Sequence, residues 1–307
     1  MMHRLDWDRD GADWPNRHAS GFVAAGGLTW HVQRFGSGPV ALFVHGTGAS
    51  THSWRDFAPM LAKHFSVVAL DLPGHGFTSA PGSSNGYSLA GMTDTLAALL
   101  TALEVDPVLA IGHSAGAAIL ARMCIDGRIT PRRLICLNGA LLPLHGMRGR
   151  FFSPAAKLFA GNDLVPRFFA WRATDRAVVE RLLASIGSPL DSTGVDFYTR
   201  LARSPGHVAA ALRMMANWDL VELARDLPRI ANSLVLVAGS KDSAISPAAM
   251  RRTGERVADA PLLWLTGAGH LAHEEQPSEV AALVLRCACE SHLLESVGGV
   301  VPPPTGL

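Results

Sequence analysis

Six stretches of the chain are runs of consecutive apolar residues that end in glycine or a charged turn: PVALFVHG (39–46), FSVVALDL (65–72), VLAIGHSAG (108–116), RLICLNG (133–139), SLVLVAGS (233–240) and PLLWLTG (261–267). Unbroken apolarity over five or six residues suits a strand covered on both faces. Between most of these runs the period changes to three or four. HSWRDFAPMLAKH (52–64) has helical spacing, and SLAGMTDTLAALLTALEV (88–105) puts Leu89, Met92, Leu96, Leu99, Leu100 and Leu103 on one helical face behind Ser88 as N-cap. AAILARMCI (117–125), SPAAMRRTGERV (246–257) and the stretch from Pro277 to about Leu294 read as helices too. Ahead of the first buried run, FVAAGGLTWHVQRFG (22–36) reads as a hairpin turning at Gly26-Gly27, with Leu28, Trp30 and Val32 on one face. Alternating strands and helices predict a doubly wound, mainly parallel sheet of eight strands flanked by helices.

The alternation stops after Leu144. Residues 145–228 contain helical patterns, FFSPAAKLFA, DRAVVERLLASIG and HVAAALRMMANW among them, and no buried strand pattern. The expected organisation is an N-terminal arm (1–20) resting on the surface through Trp7 and Trp14, a sheet core (21–144 and 229–295), a helical cap (145–228) inserted after the sixth strand, and a glycine- and proline-rich disordered tail (296–307). An insertion there lies over the carboxyl edge of the sheet, where open α/β sheets place ligands.

The third run ends in Gly112-His113-Ser114-Ala115-Gly116, a G-x-S-x-G between strand and helix. Such a turn strains the serine backbone and needs small neighbours, because a side chain at Gly112 or Gly116 would strike the adjoining strand or helix. It lifts the hydroxyl out of the sheet and aims the Ala115 N–H at a developing oxyanion. Alone, the pentapeptide also fits a glycine-rich turn with an incidental serine. The later strand ends decide between these readings: Asp242 follows the fifth run in GSKD, and His270 follows the sixth in GAGH. Serine, acid and histidine, each just past a strand's carboxyl end and in that order, form a nucleophilic triad. Asp219 and Asp226 lie outside any strand-end turn and rank far below Asp242.

With these residues and with HGTGAS (45–50) and DLPGHGFTS (71–79), the chain resembles the alpha/beta hydrolase superfamily over residues 22–294. Its N-terminal texture, WDRDGADWPNRHAS, GGLTWHVQRFGSGP and HGTGASTHSWRDFAPMLA, is similar to the accessory hydrolases encoded with magnesium chelatase in the bacteriochlorophyll pathway. The resemblance implies a fold and an esterase-like serine mechanism: Ser114 as nucleophile, His270 as general base, Asp242 as the carboxylate that fixes the imidazole, and the N–H groups of Thr47 and Ala115 as the oxyanion hole. It also implies that Asp71, Gly74, His75 and Gly76, together with His45, support the oxyanion loop. An aspartate at position 114 would have pointed instead to dehalogenase or epoxide chemistry.

Substrate choice is expected in the cap and the elbow. His45, Gly46, His113, Phe151, Phe152, Trp171, Met214 and Trp218 are candidate pocket residues, with Met214, Met215 and Trp218 read as core or lining. Residues 145–172 carry five phenylalanines, Trp171, four arginines and Lys157 against the single acid Asp163. That mixture suits a flat ligand with carboxylates, such as a tetrapyrrole, or peripheral contact with an anionic membrane; it equally suits an amphipathic lid whose aromatics pack and whose arginines are solvated.

Composition narrows the classes. A net charge of +1 argues against a nucleic-acid binder. Cys124, Cys136, Cys287 and Cys289 sit in apolar stretches, as free thiols of a reducing compartment do, and the N-terminus lacks an apolar signal core, so a cytoplasmic protein is expected. His270-Leu-Ala-His273-Glu274-Glu275 is not H-E-x-x-H, and neither metal nor cofactor is expected. The chain reads as a serine hydrolase of an acyl substrate in bacteriochlorophyll synthesis. The alternatives are a non-catalytic accessory protein that binds porphyrin or contacts the chelatase, and a general carboxylesterase or carbon–carbon bond hydrolase.

Overall fold

The computed structural model describes residues 2–143, 162–230, 233–257 and 260–294. Eight strands, β1 (Ser20–Ala25), β2 (Leu28–Phe35), β3 (Val40–Val44), β4 (Ser66–Leu70), β5 (Leu109–His113), β6 (Arg133–Leu137), β7 (Leu234–Gly239) and β8 (Leu262–Leu265), form one sheet in the order β1-β2-β4-β3-β5-β6-β7-β8. The β1–β2 hairpin and its junction with β4 are antiparallel, and every other pair is parallel. Gly26 and Gly27 both have positive φ, as the tight hairpin turn requires.

The helices in chain order are α1 (Trp7–Asp10), α2 (Ala58–Leu61), α3 (Leu89–Leu103), α4 (Ala115–Ile125), α5 (Leu164–Arg172), α6 (Arg176–Ser185), α7 (Ser192–Ala202), α8 (Pro205–Ala216), α9 (Val221–Asp226), α10 (Pro247–Arg256), α11 (Ala272–Glu275) and α12 (Pro277–Glu290). The continuous apolar runs are explained by two cores, one on each face of the sheet. Leu42, Val44, Val68, Leu70, Ala110, Leu134 and Leu236 pack with α3 and α4, whereas Ala41, Phe43, Val67, Ile111, Ile135 and Val237 pack with α2 and α12. Ser88 caps α3 by accepting from the Gly91 N–H at 3.1 Å, and all six apolar positions of that helix face are buried.

Residues 52–64 depart from the single helix that their spacing predicts. They form a 3-10 turn at Thr51–Trp54 and then the one-turn α2, with Pro59 in its first turn. Proline has no N–H to give the carbonyl four residues earlier, so a helix restarts there and does not run through. Trp54, Phe57, Ala58 and Leu61 are buried all the same.

Between β6 and β7 every element among the described residues is helical, α5 to α9 and a 3-10 turn at Leu227–Arg229. The pattern FFSPAAKLFA and the tail 296–307 lie outside the described residues. The N-terminal arm covers the second face of β2, where alternation alone predicts solvent: Trp7 stacks on His31 with ring centres 4.8 Å apart, and Gln33 Nε2 donates to Pro15 O at 2.6 Å. No described helix is long and apolar enough to cross a membrane.

Candidate active site

Five parallel strands, β3, β5, β6, β7 and β8, deliver the site. At the end of β5, Ser114 has φ 51° and ψ −115°, a conformation that costs a non-glycine residue about 1–3 kcal/mol and persists only where surroundings hold it. They do so on both sides: the Ser114 N–H donates to Leu137 O at 3.1 Å and its carbonyl accepts from Ala140 N at 3.0 Å. The flanking glycines are required by contact. A Cβ on Gly112 would lie 2.5 Å from Ala117 N, and one on Gly116 would lie 2.1 Å from Val44 O.

The turns after β8 and β7 bring His270 and Asp242 into line with the serine. His270 Nε2 stands 3.1 Å from Ser114 Oγ, and its Nδ1 stands 2.9 Å from Asp242 Oδ2. The partners fix the neutral tautomer: Nδ1–H donates to the carboxylate, leaving Nε2 to accept from the hydroxyl. Asp242 is held by more than the histidine. Its Oδ1 accepts from the N–H groups of Ala244 (2.7 Å) and Ile245 (2.8 Å), and its Oδ2 also accepts from Asn138 Nδ2 at 2.8 Å. Asn138, itself at φ 48° just past β6, further donates to Gly269 O at 3.1 Å, so one buried amide ties the acid to the histidine loop. The sequence reading passes over Asn138; the signal available was a polar Asn-Gly closing an otherwise apolar run.

Opposite the serine lies the loop after β3. A Cβ on Gly46 would come within 2.9 Å of Ser114 Cβ and 2.8 Å of His113 Nδ1, so glycine lets the loop approach. Ala115 is the first residue of α4, whose N–H has no partner inside the helix, and Thr47 N has none among the described residues. Both are therefore open to an incoming oxygen. The loop is braced from beneath. His45 donates through Nδ1 to Gly46 O and accepts through Nε2 from Leu72 N (2.9 Å). Asp71 accepts from Thr51 N, Phe77 N and His31 Nδ1 at 2.7–2.9 Å. Burial alone would raise the Asp71 pKa, but the His31 imidazole and these donors hold it well below the usual carboxylate range. A Cβ on Gly76 would strike Asp71 Oδ2 at 2.2 Å, so this turn motif is structural support for the loop.

A cavity of about 430 Å³ opens at Ser114 and His270. Thr47, Ala115, Met215, Trp218 and Ile245 are among its lining residues. Several candidate pocket residues stand elsewhere. Trp171 is 62% exposed, because α5 turns Pro166 and Ala170 inward and its aromatics outward. Met214 is buried behind the loop, its Sδ accepting from Thr47 Oγ1 at 3.3 Å, and the next residue, Met215, faces the cavity in its place. His45 and His113 are buried supports: His113 Nε2 donates to His270 O at 2.9 Å, and burial beside His273 and His270 keeps its pKa well below the ordinary value. Phe151 and Phe152 lie outside the described residues. His273 pairs with Ser53 Oγ at 2.8 Å, away from the serine, and Asp226 pairs with Arg122 and Arg225. Among the described residues no group of three potential ligands is placed to hold a metal ion.

The arrangement can pass the Ser114 proton to His270 Nε2 while two N–H groups receive negative charge, which is what acyl transfer to a hydroxyl needs. Comparison with known proteins agrees with a hydrolase. The Alpha/beta hydrolase family model matches residues 41–283. The chain is 37% identical over 280 residues to the "Magnesium-chelatase 30 kDa subunit" of Rhodobacter capsulatus, covering 89% of this chain and 96% of that one. It is 26% identical to the 2-(acetamidomethylene)succinate hydrolase of Mesorhizobium japonicum, over 83% of this chain and 90% of that one. Among solved structures, an alpha/beta hydrolase fold protein from Burkholderia ambifaria superimposes with a TM-score of 0.73 at 24% identity, over 93% of this chain and all of that one. The matched span runs from β3 to α12 and so carries all three aligned side chains: the chain belongs to the alpha/beta hydrolase family.

Proposed function

We propose that this protein is a serine hydrolase that cleaves an ester-like or other acyl substrate, with Ser114 as nucleophile, His270 as general base, Asp242 as the orienting carboxylate, and the Thr47 and Ala115 N–H groups as oxyanion hole. The observation that carries the reading is the unbroken hydrogen-bonded line Ser114 Oγ, His270 Nε2, His270 Nδ1, Asp242 Oδ2, at 3.1 and 2.9 Å, opening into a cavity. The hydroxyl attacks the acyl carbon as His270 takes its proton, the same imidazolium protonates the leaving group, and water reverses the sequence. The helices between β6 and β7 act as a cap that selects the substrate.

The similarity to a protein named as a magnesium-chelatase subunit supports a place in bacteriochlorophyll synthesis, with a tetrapyrrole or a by-product of its synthesis as the acyl compound. The same name favours a second reading, an accessory protein that contacts the chelatase without hydrolysis. Labelling with a fluorophosphonate read by intact mass tests the first: stoichiometric modification of the wild type that Ser114→Ala and His270→Ala both remove is the expected result. A folded wild type that takes no label sinks the catalytic reading. Complementation by Ser114→Ala in a strain lacking the protein would then establish the accessory one.

A further inference from the structure

Beside the cavity at Ser114 lies a larger one, about 960 Å³, between α9 and α10 at the carboxyl edge of β6 and β7. The two cavities share Ala140, Pro143, Ala244 and Ile245, so only small and medium apolar groups stand between them. The larger one has an apolar side, with Leu141, Leu142, Val221 and Ala224, and a cationic side, with Arg225, Arg252 and Arg256; its acids are Glu255 and Asp242, the latter already engaged by His270, Asn138 and two backbone N–H groups. Arg225 is engaged by Asp226 at 3.1 Å. Arg252 and Arg256 are both exposed, and among the described residues neither has an acidic partner within ion-pair distance; Arg256 reaches the Ala224 carbonyl at 3.5 Å.

Two guanidinium groups one helical turn apart on α10 repel each other, and an anion between them offsets that repulsion. The rigid fork of arginine matches a carboxylate edge-on, and the apolar side accommodates the chain that carries it. We propose that this cavity is a subsite for a carboxylate borne by the substrate at a distance from its reacting carbonyl, with Arg252 and Arg256 as the residues that hold it. The proposal rests on Ser114 as the reacting centre and adds the substrate class, acyl compounds with a remote carboxylate. Substrate then lies across Ala244 and Ile245, the residues whose N–H groups also hold Asp242.

The test uses 4-nitrophenyl monoesters of straight-chain dicarboxylic acids, from succinic to sebacic, each compared with the neutral ester of equal chain length. At the chain length that spans the two cavities, kcat/KM for the carboxylate ester is expected to exceed that of the neutral ester at least tenfold, chiefly through KM. Arg252→Ala together with Arg256→Ala brings the ratio to about one, and Arg252→Lys restores part of it. A ratio near one at every length in the wild type, or a ratio the double variant leaves intact, overturns the subsite. A second measurement is independent of turnover: calorimetric titration of free sebacate into Ser114→Ala, with and without the two arginine substitutions. Binding that the substitutions remove supports the subsite even where no ester is hydrolysed. Absence of binding, or binding indifferent to both arginines, overturns it and leaves the Ser114 labelling result untouched.

Discussion

At the scale of single residues, the site depends on how Asp242 is satisfied. Its carboxylate accepts from two backbone N–H groups, from Asn138 and from His270, so its orientation is over-determined. Asp242→Asn would present the wrong partner to His270 Nδ1 and turn the imidazole to the unproductive tautomer, and a loss of about 10⁴ in kcat is expected. Steady-state hydrolysis of a 4-nitrophenyl ester measures it. Asn138→Ala removes a hydrogen bond to a charged group, worth about 1.5–3 kcal/mol, and unties Gly269 as well. We expect kcat to fall roughly 10- to 100-fold, with fluorophosphonate labelling slowed but still stoichiometric; unchanged kcat would mean that the two N–H donors alone orient the acid. Ser114, His270 and Asp242 were legible in the sequence because each stands at a strand end beside glycines, a placement that chain order reveals. Asn138 was not, since its value comes from a residue 104 positions away that only the sheet brings near.

At the scale of elements, close backbone approach is what the glycines provide. Gly46 brings the loop after β3 against Ser114, and an added methyl would have to push it back from contacts of 2.8 and 2.9 Å. Gly46→Ala is therefore expected to displace the Thr47 donor and lower kcat by about 10²–10³, the usual cost of one oxyanion donor. Gly116→Ala meets the Val44 carbonyl at 2.1 Å inside the core, so its effect falls first on stability, with a loss of roughly 1–3 kcal/mol from overpacking. Thermal unfolding and esterase kinetics on the two variants separate these outcomes. The helix α5 shows where pattern reading stops. Phe168, Phe169 and Trp171 read as aromatics that pack, meet a flat ligand or touch a membrane, and all three are about half exposed or more. Pro166 and Ala170 form the inward face, and nothing in the local spacing says which face a short helix will bury.

At the scale of the whole molecule, the helices between β6 and β7 are latched to the sheet through buried histidine. His207, on α8, donates through Nε2 to Gly48 O at 3.1 Å and accepts through Nδ1 from Gly76 N at 3.0 Å, joining that helix to the loops after β3 and β4. Burial pushes its pKa down to about 4 from the ordinary 6.5, with His45 and Arg4 adding to the effect and Asp71 opposing it. The folded protein keeps this ring neutral until about pH 4, whereas the unfolded chain binds a proton below 6.5. Stability from His207 is thus complete above pH 6.5 and is lost as pH falls toward 4, by about 3 kcal/mol at the bottom of that window. His273, held by burial at about 3, acts in the same direction. Differential scanning calorimetry should show Tm falling from pH 7 to pH 4.5. In His207→Asn the protein should start less stable at pH 7 and lose less over the same range. An equal slope in the variant would remove His207 from the account.

Local period, turn chemistry and chain order suffice for the strands, their apolar two-faced character, the order of serine, acid and histidine, and the family. Packing between distant segments sets the rest. The N-terminal arm buries His31 and Gln33 on a face of β2 that alternation leaves to solvent, Met215 and not Met214 reaches the cavity, and Arg252 and Arg256 converge with Leu141 and Val221 on a second one. Each of these outcomes is set by the angle and depth at which one element rests on another. Those quantities are fixed by the sum of many weak contacts across the core, and no single stretch of sequence encodes them.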